Sequence, residues 1–292
     1  MRENKLRVCV LGLGQIGLPT AKYCLSKKLE VYGYDISRIA VNRAISEGIR
    51  ASYNWSDIPN VDVYLICVST LIKNGLPDLS SIFDVCEKIA KRSNVKTLVS
   101  IESTIIPGTS RKIYKEIFDK KVCLIHVPHR YWSKDPIRHG VKQLRVMGAI
   151  DNRSLNLGFA FYKNLLNIPL YIVSSIEIAE MCKIAENAYR YLQIAFAEEL
   201  KMICEERGMN FEEVRKACNT KWNIEILEAR EGIGGHCLPK DIRYLISMSQ
   251  QYNTLLKAAI KVDKQYRKWL KTRDNKCYKL PDLANQMKEP QP

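Results

Sequence analysis

No stretch of the chain is apolar for the roughly 18 residues that a spanning helix needs, which excludes a helical membrane protein. The opening residues, Met1-Arg2-Glu3-Asn4-Lys5, lack the charged, apolar and cleavage-site order of a signal peptide, so a cytoplasmic protein is expected. No Cys-x-x-Cys pair occurs. The ten cysteines are scattered at 9, 24, 67, 86, 123, 182, 204, 218, 237 and 277, a spacing that gives no zinc knuckle or ribbon. His126, His129 and His139 match no strong metal pattern either, and no metal site is assigned. Without a secretion signal the thiols are expected to be free. Most, such as Cys9, Cys67 and Cys123, sit in apolar runs as small buried groups. There is no internal repeat, no low-complexity tract and no basic tail.

Positive charge is plentiful: 46 Lys and Arg against 31 Asp and Glu give a net charge of +15. Such a field favours anionic partners. The field alone does not choose between a phosphorylated small molecule, a nucleic acid and a membrane surface, but the basic clusters are only pairs, Lys27-Lys28 and Lys120-Lys121, which argues against nucleic acid as the main partner. With 292 residues, 46 % hydrophobic and 26 % charged, the chain reads as globular with two domains.

Short apolar runs at 6–11, 30–34, 62–68, 96–101, 122–127 and 144–149 predict buried strands, and helical patterns at 37–48 and 79–92 lie between them. Strand–helix alternation predicts an α/β domain over 1–173, a doubly wound parallel Rossmann sheet. From Ser174 the texture turns helical. Ser174-x-x-Glu177 has capping-box spacing, and the pattern runs without Gly or Pro to Arg207 before Gly208. That predicts a helix over 175–207 of about 45 Å, long enough to serve as a homodimer seam. Asn210 starts another helix with Glu212 and Glu213 in its first turn, residues 220–240 form a glycine-rich loop, and helices follow near 241–250 and 253–270. An all-helical domain over 174–270 and a polar tail over 271–292 complete the reading.

Gly12-Leu13-Gly14-Gln15-Ile16-Gly17 fits G-x-G-x-x-G. It follows a strand, opens a helix, and is followed by a second strand that ends at Asp35, eighteen residues past Gly17. This context is what a dinucleotide fingerprint requires. Gly12 permits the tight turn, Gly14 lets the backbone approach a pyrophosphate, and Gly17 lets helix and strand pack closely. The helix N-terminus at Gln15 and Ile16 offers N–H groups to the phosphates. Asp35 would accept hydrogen bonds from ribose hydroxyls and repel a 2′-phosphate, which favours NAD over NADP, with Arg38 close enough to blur that preference. The plainer alternative is an ordinary glycine turn in a Rossmann-like sheet.

Gly232-Ile233-Gly234-Gly235-His236-Cys237-Leu238-Pro239-Lys240-Asp241 is the most informative stretch. Glycines let the backbone approach a ligand, and they precede a cysteine at a loop-to-helix junction beside His236 and Lys240. Such a setting favours a reactive thiolate, and Asp241 can hold a proton or a water near it. Here the chain resembles the UDP-glucose/GDP-mannose dehydrogenase family. Residues 232–241 resemble its catalytic-cysteine motif, 179–190 (AEMCKIAENAYR) its central helix with a lysine and an asparagine, 102–109 (ESTIIPGT) its NAD-side segment, and 62–70 (DVYLICVST) its fourth-strand motif.

The resemblance implies a four-electron oxidation of a nucleotide sugar's C6 alcohol to a carboxylate with two NAD in succession. Cys237 would form a thiohemiacetal and then a thioester. Lys183 and Asn187, four residues apart on one helix face with Glu180 beside them, would stabilise oxyanions. Asp241 would manage a water or proton. Thr104 would sit between nicotinamide and substrate, with Ser69 and Thr70 on the NAD side and Gly234 and Gly235 against the substrate. Taken singly, Lys183 reads as a solvated lysine and Cys237 as a packed loop thiol.

Two features depart from the family. Its members usually run to about 400 residues with a further nucleotide-gripping domain, so this chain reads as a short form. Where the family usually has Pro-Glu, this sequence has Pro128-His129, which makes His129 a candidate base and Arg130 a candidate anion ligand. Two alternatives stay open: a single hydride step on a smaller polyol or hydroxy acid, and a non-catalytic nucleotide-binding homologue.

Overall fold

Apolar runs of three to five residues, each bounded by turn residues, assemble into one sheet. The computed structural model describes residues 5–277, which divide between Ala185 and Glu186 into two compact units. The first unit contains β1 (Arg7–Leu11), α1 (Gly17–Ser26), β2 (Glu30–Tyr34), α2 (Arg38–Ser46), β3 (Arg50–Ser52), β4 (Val63–Ile66), β5 (Leu71–Lys73), β6 (Leu76–Asp78) and α3 (Ser80–Ala90). It continues with β7 (Leu98–Ile101), α4 (Thr109–Glu116), β8 (Cys123–His126), β9 (Arg145–Ala149), α5 (Asn152–Phe159) and β10 (Leu170–Ile172). A one-turn π segment, Ala160–Leu165, extends α5. The long helix α6 (Ile176–Glu206) begins in this unit and runs on into the second.

Eight strands form the main sheet in the order β10-β9-β8-β7-β4-β1-β2-β3, and β5 and β6 make a separate antiparallel hairpin. The order reverses between β1 and β4, the crevice where doubly wound folds bind ligands at the carboxyl ends of their strands. Buried Val8, Val10, Leu65, Ile125 and Met147 fill the core over this centre. Against the expectation of a wholly parallel sheet, β8 and β9 pair antiparallel, with Ile125 opposite Ala149. A parallel return needs a crossover, usually a helix, and residues 127–144 contain none. The edge strands β3 and β10 and the β5–β6 hairpin were not read from the sequence, because three-residue strands carry too little alternation to stand out.

The second unit packs the rest of α6 with α7 (Phe211–Cys218), α8 (Cys237–Ser247) and α9 (Thr254–Cys277). Tyr191, Ala195, Ile233, Ile242 and Ala259 form one apolar cluster, and Ala197, Phe211, Ile226 and Tyr266 another. Gly208 has φ +67, and the Asn210 side chain accepts from the Glu212 and Glu213 amides at 2.9 and 3.3 Å, as the sequence suggests. Three boundaries differ from expectation. Ser175 rather than Ser174 reaches the Ile178 amide, at 3.4 Å. Helix α8 starts at Cys237 itself rather than near 241. Helix α9 runs to Cys277, into residues expected as tail, whose prolines at 281, 290 and 292 lie outside the described residues.

One tie within the first unit bears on the site. Glu180 of α6 is fully buried and accepts from the Gly108 amide at 2.6 Å and the Ser110 amide at 2.8 Å. It therefore caps α4, whose own N-cap residue, Gly108, offers no side chain. Replacing Glu180 by Ala should lower stability by about 1–2 kcal/mol, the loss of a helix cap, read as a lower midpoint in urea denaturation. Glu180→Gln should recover part of that loss.

Candidate active site

The glycine turn of the first unit has the geometry of a phosphate cradle. Gly12 has φ +89, and a Cβ there would lie 2.7 Å from the Cys67 carbonyl oxygen. A Cβ on Gly17 would lie 1.7 Å from the Gly12 carbonyl oxygen, so helix and strand could not pack this closely with any other residue. Around Gly14 the space is open, and Gly14 and Gln15 are exposed. No side chain caps the start of α1 at Ile16, which leaves first-turn amides for an anion. Asp35 follows β2 with Oδ2 accepting from the Leu13 amide at 2.7 Å and Oδ1 from the Ser37 amide at 2.8 Å. The chain's own amides thus fix the carboxylate beside the turn. Arg38 is exposed and stacks 4.7 Å over Tyr53. These residues fit a dinucleotide: an open, uncapped turn with a fixed acidic group next to it.

At the carboxyl ends of β4, β7 and β8 lies a buried polar cluster that the sequence did not announce. Glu102, fully buried, is paired with His129, Arg145 and Tyr162. Its Oε2 lies 3.2 Å from Arg145 Nη1 and accepts from Cys67 Sγ at 3.6 Å. Tyr162 also meets Ser100 at 2.8 Å. The His129 ring is 5 % exposed, with Nε2 on Glu102 and 3.1 Å from Thr20 Oγ1. Burial pushes the Glu102 carboxyl up, but the charges and hydrogen bonds around it win and hold it ionised. Burial and Arg145 push the His129 ring down and keep it neutral. A cation would have to displace Arg145 from the same carboxylate oxygen, so Cys67, Glu102 and His129, although close enough together to chelate, are a poor metal site.

Thr70 donates from Oγ1 to the Thr104 carbonyl at 2.9 Å, and the Ser69 carbonyl accepts from Ser81 at 2.6 Å. Segment 62–70 is thereby joined to segment 102–109 and to α3. Arg130 donates to the Leu144 carbonyl at 3.0 Å, so the chain already uses one arm of this anion-binding candidate.

In the second unit Cys237 is exposed and is the first residue of α8. Gly234 and Gly235 before it are exposed, and Gly235 has φ +81. Asp241, one turn on, is fully buried. Its Oδ2 accepts from Asn187 Nδ2 at 2.5 Å and its Oδ1 from Lys240 Nζ at 2.5 Å. Lys240 also lies 4.2 Å over the Tyr244 ring. Asn187 and Asp241, 54 positions apart in the sequence, are thus in direct contact, and Lys183 stands one turn before Asn187 on α6.

Residues 39–166 match the NAD binding domain of the UDP-glucose/GDP-mannose dehydrogenase family, and residues 177–265 match its central domain. A UDP-N-acetyl-D-mannosamine dehydrogenase of Pyrococcus horikoshii is 30 % identical over 89 % of this chain and 68 % of its own length. The chain belongs to the UDP-glucose/GDP-mannose dehydrogenase family. The structure of a UDP-D-ManNAc dehydrogenase from that organism superposes with a TM-score of 0.84, covering 91 % of this chain and 70 % of that one. A UDP-N-acetyl-D-mannosamine dehydrogenase of Methanococcus vannielii is 33 % identical over 84 % of this chain, which spans only 62 % of that relative. An NDP-N-acetyl-D-galactosaminuronic acid dehydrogenase of Ralstonia nicotianae is 30 % identical over 88 % of this chain. The family's cofactor, NAD, is the one the glycine turn and Asp35 suit.

The sequence missed Arg145, Tyr162 and Thr20. The available signal was a lone arginine inside the apolar run 144–149, a charge that a buried strand tolerates only with a partner. His129, kept neutral when folded, binds its proton less tightly than it does unfolded, from an ordinary value of 6.5 down to about 4. Stability should therefore fall as pH drops from 6.5 through 4, as the unfolded ring takes up a proton that the folded one refuses. His129→Gln should flatten part of that fall in urea midpoints measured against pH.

Proposed function

We propose that this chain carries the NAD-binding and cysteine-bearing parts of a nucleotide-sugar dehydrogenase that oxidises the C6 alcohol of a UDP-linked N-acetylhexosamine to the uronate. Cys237 carries the reading: an exposed thiol opening a helix, in the family's motif, one turn from an Asp241 that Asn187 and Lys240 grip. Two of the relatives described are named for UDP-N-acetyl-D-mannosamine, which supports that sugar before others. The Rossmann domain is taken as 1–173, the cysteine-bearing helical domain as 174–270, and the tail as 271–292. The nucleotide substrate points to the cytoplasm, and among the described residues no helix is long and apolar enough to cross a membrane.

NAD, when bound, supplies the hydride acceptor. Gly12, Gly14, Gln15, Ile16 and Gly17 would hold its pyrophosphate and Asp35 its ribose, with Ser69, Thr70 and Thr104 lining the nicotinamide side. Cys237 Sγ attacks the C6 aldehyde, forming a C–S bond and giving a thiohemiacetal. After the second oxidation, water cleaves the resulting thioester and frees the carboxylate and the thiol. Over the whole reaction one alcohol, one water and two NAD give one carboxylate, two NADH and three protons. The Lys183 ammonium and the Asn187 amide stabilise the oxyanions on this route. Asp241 orients Asn187 through their hydrogen bond. His129, with Nε2 already committed to Glu102, serves better as the support of that carboxylate than as a base.

Two copies are proposed to pair along α6. Tyr189, Phe196 and Ile203 recur every seven residues on the helix and are 63 %, 56 % and 48 % exposed, an apolar stripe suited to a second copy of itself. Phe196→Glu should shift a dimer to monomer in light scattering. The purified chain, given NAD and UDP-N-acetyl-D-mannosamine, should release two NADH per sugar, and Cys237→Ser should stop at or before the first. One NADH per substrate in the unaltered protein would favour a single-step dehydrogenase instead. No turnover with this or other UDP- and GDP-sugars would reject the assignment for this chain on its own.

A further inference from the structure

Beneath the glycine loop of the second unit lie two carboxyl groups that the proposed chemistry does not use. Asp263 of α9 is 8 % exposed. Its Oδ1 accepts from the Ile233 amide at 2.8 Å and from Arg267 Nε at 3.0 Å, and its Oδ2 accepts from the Tyr191 hydroxyl at 3.2 Å. Ile233 is itself 3 % exposed and lies four residues before Cys237. The preceding residue, Gly232, has φ +95, and a Cβ there would meet the Arg267 guanidinium carbon at 2.7 Å. Helix α9 therefore grips the loop at two successive residues, by a hydrogen bond at Ile233 and by close contact at Gly232.

The second carboxyl is Glu198 of α6, two turns beyond Tyr191 on the same face. It is fully buried, and among the described residues neither oxygen has a hydrogen-bond partner. A buried carboxylate with no donor is among the costliest arrangements in a protein, and the group relieves it by keeping its proton. The groups facing it are Asp263, Arg267 and Tyr266 from α9 and Tyr191 from α6. Arg243 of α8 acts on Tyr191, and Glu205 and Arg273 act on Tyr266. Of the charged groups with a direct effect on Glu198, Asp263 disfavours its ionisation and Arg267 favours it.

We infer that Asp263 is the positioning residue for the glycine loop leading into Cys237, and that Glu198 is its uncharged partner, so that one buried proton sets how firmly the loop is held. The inference rests on Cys237 being the reactive residue of the proposed dehydrogenase. Burial first, and Asp263 second, push the Glu198 carboxyl up to about 8. When that proton leaves, two like charges share a buried site and compete for Arg267. Arg267, shared between two carboxylates, then holds Asp263 less firmly, and Asp263 separates the two charges by turning away from the Ile233 amide. Because the folded carboxyl holds its proton from its ordinary value of 4.5 up to about 8, the associated stability declines across that window as pH rises.

Hydrogen–deuterium exchange on the full chain, without NAD or substrate, tests this directly. After correction for intrinsic exchange, protection of the Ile233 amide should fall roughly tenfold or more as pH rises from about 6 to about 9. Glu198→Gln, neutral throughout, should hold protection constant. Asp263→Asn, which keeps an acceptor oxygen, should also remove the pH dependence, whereas Asp263→Ala should leave Ile233 unprotected at every pH. Flat protection in the unaltered chain, or the same slope in Glu198→Gln, would overturn the inference, and the first of these needs no variant to fold. Absence of NADH release alongside the expected exchange pattern would count against the dehydrogenase reading and leave the carboxyl pair standing.

Discussion

Glu102 has no contact with solvent, yet four segments of the first unit send a side chain to it. Cys67 comes from the end of β4, His129 from the loop after β8, Arg145 from β9 and Tyr162 from the π turn after α5. A buried charge is tolerated only when fully compensated, so these segments must arrive together or leave the carboxylate stranded. The same residue opens the segment 102–109, which holds Thr104 and whose Gly108 amide is tied to Glu180. The segments around Cys67 and 102–109 are thus set by one electrostatic demand. The antiparallel β8–β9 pair belongs to the same arrangement, since it carries Arg145 on the strand next to β8.

The helical unit is organised on a similar plan with a different group at its centre. Asp241 is buried one turn inside α8 and takes both Asn187 and Lys240. That leaves Cys237 at the exposed start of the same helix. The glycines before it give the loop conformations that other residues resist, and Asp263 supplies the restraint that glycine alone cannot. The exposed thiol and the ionic contacts of α8 thus share one helix, the contacts being kept out of water.

The chain spans about 62 % of the Methanococcus vannielii relative, and the matched regions are the NAD binding and central domains. Thr104, Lys183, Asn187, Cys237 and Asp241 lie in these two regions, and the glycine turn and Asp35 precede the first of them. The net charge of +15 suits an anionic nucleotide sugar but carries no information about which sugar.

The sequence by itself determined the alternating fold, the glycine turn with Asp35, the long helix and the cysteine motif. Each is a local pattern, in which backbone freedom, periodicity and residue type within a short window decide the outcome. Only the tertiary structure decided what the buried polar groups do. His129 read as a base in a loop, but folding turns it onto Glu102. Glu180 read as a neighbour of Lys183, but folding makes it the cap of α4. Glu198 and Asp263 belong to no motif in the sequence. The meaning of Asp263 comes from Ile233 and Tyr191, 30 and 72 positions away, and that of Glu198 from burial without a hydrogen-bond partner, neither of which exists until the chain has folded.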